Sequence, residues 1–285
     1  NDKCIMSMLV SRIVPVYNVA DYVGKCLESI ANQTYTDYEV IIMEGNSTDG
    51  SREIVTRFCE NHPKFRPVYQ AKPIGLMASW MEAVPLTNAD YIAFLDGDDM
   101  FESTFLEKLV GKVEKYNVDV AIANFFYDNR LNNKGLTKHI DPIEEGYYSG
   151  NDIKLIHSSI FPSSHGHYLS PSRCCKLIRK NIFVDNLKYC DTSISSAEDV
   201  NIMVPVMLSA HRVYYLGEPL MYYVKRHDSI SHVFRYDTLD MYDKLIKILH
   251  KAASDKNLNY ETELKDLYNV YGIHWVSYVS NSNLI

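Results

Sequence analysis

The segment Asp96-Gly97-Asp98-Asp99 places three carboxylates directly after the apolar run Tyr91–Leu95. That run predicts a buried strand, and open α/β sheets bind their ligands at the carboxyl ends of strands. Carboxylates this close repel one another, so a cation is expected among them. Oxygen ligands favour Mg²⁺ or Mn²⁺ over zinc, and such ions commonly hold nucleotide phosphates. The alternative is a solvated acidic turn that caps a helix beginning near Ser103.

Apolar strands alternate with amphipathic helices through the first half of the chain. The predicted helix over Ala20–Asn32, for example, carries Val23, Leu27 and Ile30 at helical spacing. Such alternation is typical of βαβ units, and it predicts an α/β fold with a Rossmann-like, mostly parallel sheet flanked by helices. The predicted strands are Leu9–Val16, Tyr38–Met43, Phe65–Gln70, Tyr91–Leu95 and Val118–Phe125.

The second half has weaker patterns. Asp128–Ser149 is polar and predicts a long loop or a β-excursion, which inside a compact domain is usually functional. A helix is predicted over Ala197–Ser209. Beyond Tyr236, apolar residues at helical spacing predict a small C-terminal helical appendage. Two separate strands are expected between these helices, at Arg212–Tyr215 and Leu220–Val224.

The composition argues against several classes of protein. The 285 residues carry a net charge of −7, which does not suit a nucleic-acid partner. No apolar run reaches the ~18 residues of a membrane span, and no signal peptide is evident. The six cysteines form no Cys-x-x-Cys pair, so they are predicted to be free thiols in a reducing cytoplasm.

Five short motifs, taken together and in this order, resemble the family 2 glycosyltransferases of the GT-A fold, which are inverting enzymes that use nucleotide sugars. The resemblance runs from about Leu9 to Ser231, and each motif lies at the start or end of a predicted element. The motifs are Val14-Pro15-Val16-Tyr17-Asn18, Glu44–Ser51, Asp96-Gly97-Asp98-Asp99, Glu198-Asp199 and Arg226-His227-Asp228-Ser229-Ile230-Ser231.

The resemblance implies a set of donor-binding residues. The segment after the first strand would line the nucleoside pocket, and Glu44 would contact the base, usually uracil. Thr48 and Asp49 are better interpreted as turn and helix-capping residues. The first acid of the Asp-x-Asp pair would contact ribose or metal, and the second would bind the metal. The implied residues are Pro15, Val16, Tyr17, Glu44, Asp96 and Asp98, with Arg226, His227 and Ser229 on the diphosphate.

The same resemblance implies that Asp199 is the base that takes the proton from the acceptor hydroxyl. The alternative is that Ser195, Ser196 and the Glu198-Asp199 pair merely cap a helix. Two positions depart from the family pattern. Met43 precedes Glu44 where a pair of Asp is common, and Met81 stands where Asn is common. Both departures leave the donor less certain than the fold.

The function implied is metal-dependent, inverting transfer of a sugar from a nucleotide diphosphate sugar, with a UDP-sugar the first candidate. The acceptor would be a glycan or a lipid-linked saccharide in cell-surface polysaccharide synthesis, with Mn²⁺ or Mg²⁺ as cofactor. We expect a cytoplasmic protein, compatible with peripheral association at the inner face of the membrane. The alternatives are a degenerate nucleotide- or glycan-binding module and a related nucleotidyltransferase.

The expected division of the chain is a GT-A domain over 8–234 and a helical tail over 235–285. Within the GT-A domain, 8–100 is the nucleotide-sugar half and 101–234 is the acceptor half.

Overall fold

The computed structural model describes residues 8–129, 134–161, 168–226 and 237–281, with side chains described as far as residue 272. The first half alternates strand and helix as the sequence predicts, because most of its strands are apolar and buried and its helices bury one face. Helix α1 shows this pattern, since Val23, Cys26, Leu27 and Ile30 are its buried residues. The elements are β1 (Val10–Val16), α1 (Ala20–Ala31), β2 (Tyr38–Glu44), α2 (Ser51–Glu60), β3 (Phe65–Tyr69), α3 (Leu76–Ala83) and β4 (Tyr91–Phe94).

The second half is richer in strands than its sequence pattern predicts. The polar stretch over 128–149 contains two short strands, which fits the β-excursion rather than the long loop. The two strands expected at Arg212–Tyr215 and Leu220–Val224 form one continuous strand, β10. The elements are β5 (Met100–Phe101), α4 (Phe105–Tyr116), β6 (Val120–Asp128), β7 (Leu136–His139), β8 (Gly146–Ser149), α5 (Ile153–Ser159), β9 (Lys176–Arg179), α6 (Lys180–Asn186), α7 (Glu198–Ser209), β10 (Arg212–Val224), α8 (Thr238–Asp255) and α9 (Glu261–Asn281).

In the part of the chain that the structure describes, one sheet runs in the order β3-β2-β1-β4-β9-β6-β10-β5, with β7 beside β6 and β8 beside β10. Strands β1 to β4 pair in parallel, as predicted, and so do β6 and β10. Strand β9 lies antiparallel between β4 and β6. The α/β architecture is confirmed, and each antiparallel pairing, including those of β5, β7 and β8, involves a strand of the second half.

The parallel strands bring three of the sequence motifs to one edge of the sheet. Strand β1 pairs with β2 as far as Val16 and Glu44, and β4 lies on the other side of β1. The acidic segment passes so close to the end of β1 that a Cβ atom at Gly97 would lie 3.0 Å from the carbonyl oxygen of Pro15. A side chain at this position would force its neighbours to shift by a few tenths of an ångström, so the close approach favours glycine.

The C-terminal helices pack on the main body. Helix α8 lies against α7 and α9, and the rings of Tyr242 and Tyr271 stack at 4.2 Å between the last two helices. These contacts confirm a helical C-terminal segment. The expected boundary at 234/235 falls outside the described residues. No helix in the described ranges combines the length and apolarity needed to cross a membrane.

Candidate active site

The turns after β1 and β2 interlock through side chains that the sequence singles out. The backbone N–H of Asn18 donates to Ser47 Oγ at 3.0 Å, and the N–H of Thr48 donates to Asn18 Oδ1 at 2.9 Å. Asp49 accepts hydrogen bonds from the N–H groups of Ala20 and Ser51, at 2.9 and 3.0 Å. Asp49 thus caps the starts of α1 and α2, which confirms its predicted capping role.

Glu44 is fully buried beneath these turns. Its Oε1 accepts a hydrogen bond from the N–H of Ser47 at 2.8 Å, while its Oε2 lies 3.7 Å from Arg52 Nε. Within the described residues Oε2 has no hydrogen-bond partner. Pro15 and Val16 are buried at the end of β1, whereas the neighbouring Tyr17 is 48% exposed. One buried acceptor and one exposed ring therefore lie at this edge.

The acidic segment after β4 is crowded and desolvated. Burial and repulsion from Asp96 raise the pKa of Asp98 to about 6. The positive charge of Arg226 lowers this pKa, but by less than the other two effects raise it. Arg226 Nη1 lies 3.0 Å from Asp98 Oδ2. Asp99 is buried, and its Oδ1 accepts a hydrogen bond from the N–H of Val224 at 2.9 Å. Asp99 therefore anchors the end of β10, which places Arg226 beside Asp98.

A buried arginine that the motifs do not include connects the two ends of the site. Arg173 donates from Nη2 to Asp96 Oδ1 and from Nη1 to Asp199 Oδ1, the latter at 2.7 Å. Its guanidinium carbon lies 4.8 Å from the centroid of the Trp80 ring. One side chain therefore holds together the first acid of the Asp-x-Asp pair and the candidate base.

The loop that carries Arg173 is fixed by Lys176, the first residue of β9. Lys176 is fully buried, and its Nζ donates to the carbonyl oxygens of Ser170 and Ser172 at 2.8 and 2.5 Å. A buried ammonium that donates to two carbonyls holds the intervening backbone in place. Lys176 lies three residues after Arg173 in the sequence, so the two buried cations belong to one short segment.

Glu198 and Asp199 begin α7, as predicted. The N-cap residue of this helix is Ala197, and it makes no side-chain capping bond. Both acids lie in the first turn of the helix, where their negative charge is favourable. Burial is the main cause that raises the pKa of Glu198 to about 7. The charge of Arg173 lowers this pKa, and the charges of Asp199 and Asp96 raise it further. Asp199 Oδ2 has no hydrogen-bond partner among the described residues, and its side chain is 31% exposed.

A cavity of about 340 Å³ joins the acidic segment to Asp199. Its size lies within the range of small-molecule sites, ~300–1,000 Å³. Carboxylates, cations and aromatic side chains all contribute to its lining. The lining residues are Asp96, Asp99, Phe125, Tyr127, Ser172, Cys174, Asp199, Met221, Tyr223, Lys225 and Arg226.

Residues 11–185 match the profile of the family described as glycosyl transferase family 2. The match covers more than half of the chain. The chain belongs to glycosyltransferase family 2. The resemblance to this family that the motifs indicate is thereby confirmed.

Curated relatives from bacteria are also glycosyltransferases. Glycosyltransferase GlyA of Streptococcus pneumoniae is 28% identical over 227 residues, which cover 79% of this chain and 32% of GlyA. EpsJ of Bacillus subtilis, an uncharacterized glycosyltransferase, is 25% identical over 271 residues, which cover 94% of this chain and 72% of EpsJ. The chain thus spans about a third of GlyA and most of EpsJ.

Solved structures confirm the GT-A fold. Residues 1–349 of S. aureus TarS, crystallised with UDP-GlcNAc, align with a TM-score of 0.73 at 19% identity, covering 95% of this chain and 72% of that one. The mannosyltransferase PcManGT of Pyrobaculum calidifontis, in complex with GDP-Man and Mn²⁺, aligns with a TM-score of 0.63 at 15% identity, covering 95% and 73%.

The structure of this family 2 member brings together most of the residues that the motifs imply. Asp96, Asp199 and Arg226 line one cavity, and Asp98 is paired with Arg226. Met43 is buried in β2, and Met81 packs against the core, so both departures from the family pattern take part in apolar packing. His227 and Ser229 lie outside the described residues. The sequence did not reveal Arg173 or the aromatic residues that line the cavity, which are Phe125, Tyr127 and Tyr223.

Proposed function

We propose that this protein transfers a sugar from a nucleotide diphosphate sugar to a hydroxyl group of a glycan or lipid-linked saccharide, with inversion at the anomeric carbon. The observation that carries the proposal is the bridge from Asp96 through Arg173 to Asp199 across one cavity. In this bridge, one guanidinium group binds both a donor-side carboxylate, Asp96, and the candidate base, Asp199. A UDP-sugar is the first candidate donor.

Asp199 is assigned as the base. Its Oδ1 is held by Arg173, while its Oδ2 makes no hydrogen bond within the described residues and is left to accept a proton. As that proton leaves the acceptor hydroxyl, the acceptor oxygen attacks the anomeric carbon and the bond to the diphosphate breaks. Glu198, despite its raised pKa, is not among the described residues that line the cavity. Geometry therefore favours Asp199 over its neighbour.

The donor is assigned to the edge formed by β1, β2 and β4. Tyr17 offers an exposed ring near Gly45, and Glu44 Oε2 is a buried acceptor with no hydrogen-bond partner in the described ranges. A base with an N–H group would satisfy that oxygen. Arg226, and by the family resemblance His227 and Ser229, would hold the diphosphate.

The acidic segment suits a divalent cation, Mn²⁺ or Mg²⁺. Mg²⁺ is usually bound through one or two carboxylates plus substrate phosphates, and Asp96 and Asp98 offer such a pair. The described residues contain no group of three metal-ligating side chains. The raised pKa of Asp98 reflects buried negative charge that a cation would neutralise. When bound, the ion would stabilise the charge on the departing diphosphate.

The setting we propose is cell-surface polysaccharide synthesis at the cytoplasmic side of the membrane, with peripheral association compatible with a lipid-linked acceptor. The family membership and the glycosyltransferase relatives support sugar transfer, and the setting follows from the family resemblance of the motifs.

The test is calorimetric titration with UDP, GDP, CDP and dTDP, each with and without Mn²⁺. Metal-dependent binding that prefers UDP is expected.

Asp98→Asn should abolish the effect of the metal, whereas Asp199→Asn should bind UDP normally and stop transfer. If the folded protein binds none of the four nucleotides, the proposal is wrong. If it binds UDP and no sugar is transferred to any acceptor, the protein is a binding module.

A further inference from the structure

Four rings form a continuous aromatic platform on strands β7, β6 and β10: Phe125, Tyr127, His139 and Tyr223. Phe125 lies opposite His139 in the sheet, and Tyr127 lies opposite Tyr223. The rings of Phe125 and His139 stack at 4.4 Å, and those of Tyr127 and Tyr223 meet edge to face at 5.9 Å. The platform is one connected surface rather than a set of separate rings.

The platform faces the same cavity as Asp96 and Asp199. Met221, Tyr223 and Lys225 alternate along β10 and its continuation, and they line the cavity together with Phe125 and Tyr127. Alternate residues of a strand share one face of the sheet, which explains why this set converges. A group seated on the platform would therefore lie beside the proposed base.

Lys225 adds a positive charge to the platform. Its Nζ lies 4.3 Å from the centroid of the Tyr127 ring, and its backbone N–H donates to the carbonyl oxygen of Asp128 at 3.0 Å. The backbone bond extends the pairing with β6 and fixes the side chain at the edge of the platform. Within the described ranges Lys225 makes no ion pair, unlike Arg173 and Arg226.

The two neighbouring cations face different halves of the site. Arg226 pairs with Asp98, and its guanidinium carbon lies 5.2 Å from the centroid of the Tyr22 ring on α1, in the donor half. Lys225 contacts the ring of Tyr127 on β6 instead. Lys225 therefore places its charge beside the aromatic platform, whereas Arg226 places its charge beside Asp98.

We propose that the aromatic platform and Lys225 form the acceptor subsite, and that the subsite takes a saccharide carrying an anionic group. This inference rests on the proposed function. The partly exposed rings of Tyr127 and Tyr223 offer apolar surface for the C–H face of a pyranose, with polar atoms at their edges. The ammonium pairs with a carboxylate or phosphate oxygen, each a strong charge-assisted acceptor. A uronate and a phosphodiester share this chemistry.

The test is calorimetric titration of the UDP- and Mn²⁺-loaded protein with three probes. The probes are a galacturonate tetrasaccharide, its methyl ester as the matched neutral ligand, and a glycerol-phosphate oligomer. At least one anionic probe should bind about tenfold more tightly than the neutral one. Whether the galacturonate or the phosphate oligomer is preferred identifies the source of the charge.

Lys225→Met should abolish that tenfold preference and leave UDP affinity unchanged. Lys115→Met is the matched control, because Lys115 also places its ammonium over a tyrosine, at 4.9 Å from the centroid of Tyr116, but does not line the cavity. The control should keep the preference. Tyr223→Ala should weaken charged and neutral saccharides alike.

Three results would overturn the inference: no binding of any probe, equal binding of charged and neutral probes by the native protein, or a Lys225→Met variant that loses UDP affinity while keeping the preference. The last result would assign Lys225 to the donor diphosphate. The UDP titration on the same samples reports separately on the proposed function, since a protein that binds no nucleotide can still be tested with the three saccharides alone.

Discussion

At the scale of single residues, the motifs singled out the acidic positions and Arg226, but they did not include Arg173. Asp96, Asp98 and Asp199 could be found because each lies at the start or end of an element with a recognisable pattern. Arg173 lies in a serine-rich segment with no periodicity, and a buried arginine is defined only by the two carboxylates that fold against it. Such a contact joins distant parts of the chain, so local sequence does not reveal it.

Replacement of Arg173 tests this bridge. Arg173→Met keeps much of the packing against Trp80 but leaves Asp96 and Asp199 without their shared cation. Since a misplaced catalytic group can cost about 100-fold in rate, we expect a loss of that order in sugar transfer. Breaking a buried ion pair should also lower the free energy of unfolding by about 3–5 kcal/mol. Transfer assays and urea unfolding measure the two effects.

Arg173→Lys is the informative companion variant. Lysine keeps the positive charge but lacks the planar fork that reaches two carboxylates at once. It should recover part of the lost stability and little of the transfer rate. Transfer at the native rate in Arg173→Met would show that the bridge does not position Asp199.

At the scale of elements, predictability followed the strength of the apolar pattern. Strands β1, β2 and β4 are mostly apolar and almost wholly buried, and they alternate with amphipathic helices, so their positions and parallel pairing followed from sequence. Strands β7 and β8 are short and largely polar, and only their pairing with β6 and β10 makes them strands. Gly217 and Pro219 interrupt the pattern of β10, which predicted two strands, yet the pairing with β6 continues through shifts in register.

The approach of β4 to β1 provides a test at this scale. In Gly97→Ala the new methyl group would lie 3.0 Å from the Pro15 carbonyl oxygen and 3.2 Å from Val19 Cγ2. The ends of the two strands would have to separate, which displaces Asp98 from the donor side. We expect about a tenfold loss of UDP affinity, measured by calorimetry.

Gly111→Ala is the matched control for this substitution. Gly111 lies inside α4, and a Cβ atom there would meet nothing within 4 Å. The change should raise the free energy of unfolding by about 0.5–1 kcal/mol and leave UDP affinity unchanged. If the two variants bind UDP equally well, the close approach at Gly97 is not needed for the donor site.

At the scale of the whole molecule, the fold concentrates acids that titrate near neutral pH. Burial and mutual repulsion raise the pKa of Asp98 to about 6 and that of Glu198 to about 7, and the pKa of Asp99 also rises well above its ordinary value. Each group holds its proton more tightly when folded than when unfolded. Their contribution to stability is therefore fully present below pH ~4 and is lost as the pH rises through 6 and 7.

Glu198→Gln isolates one of these contributions. Buried His157, whose pKa is lowered, acts in the opposite direction in the same pH range, so the native curve alone is ambiguous. The free energy of unfolding of the variant minus that of the native protein should increase as the pH rises from 5 to 8, by at most about 1.4 kcal/mol per pH unit. Urea unfolding at pH 5, 6, 7 and 8, with a chelator present, measures this difference. A difference that stays constant across this range would mean that Glu198 is already ionised at pH 5, and that Arg173 offsets its burial almost completely.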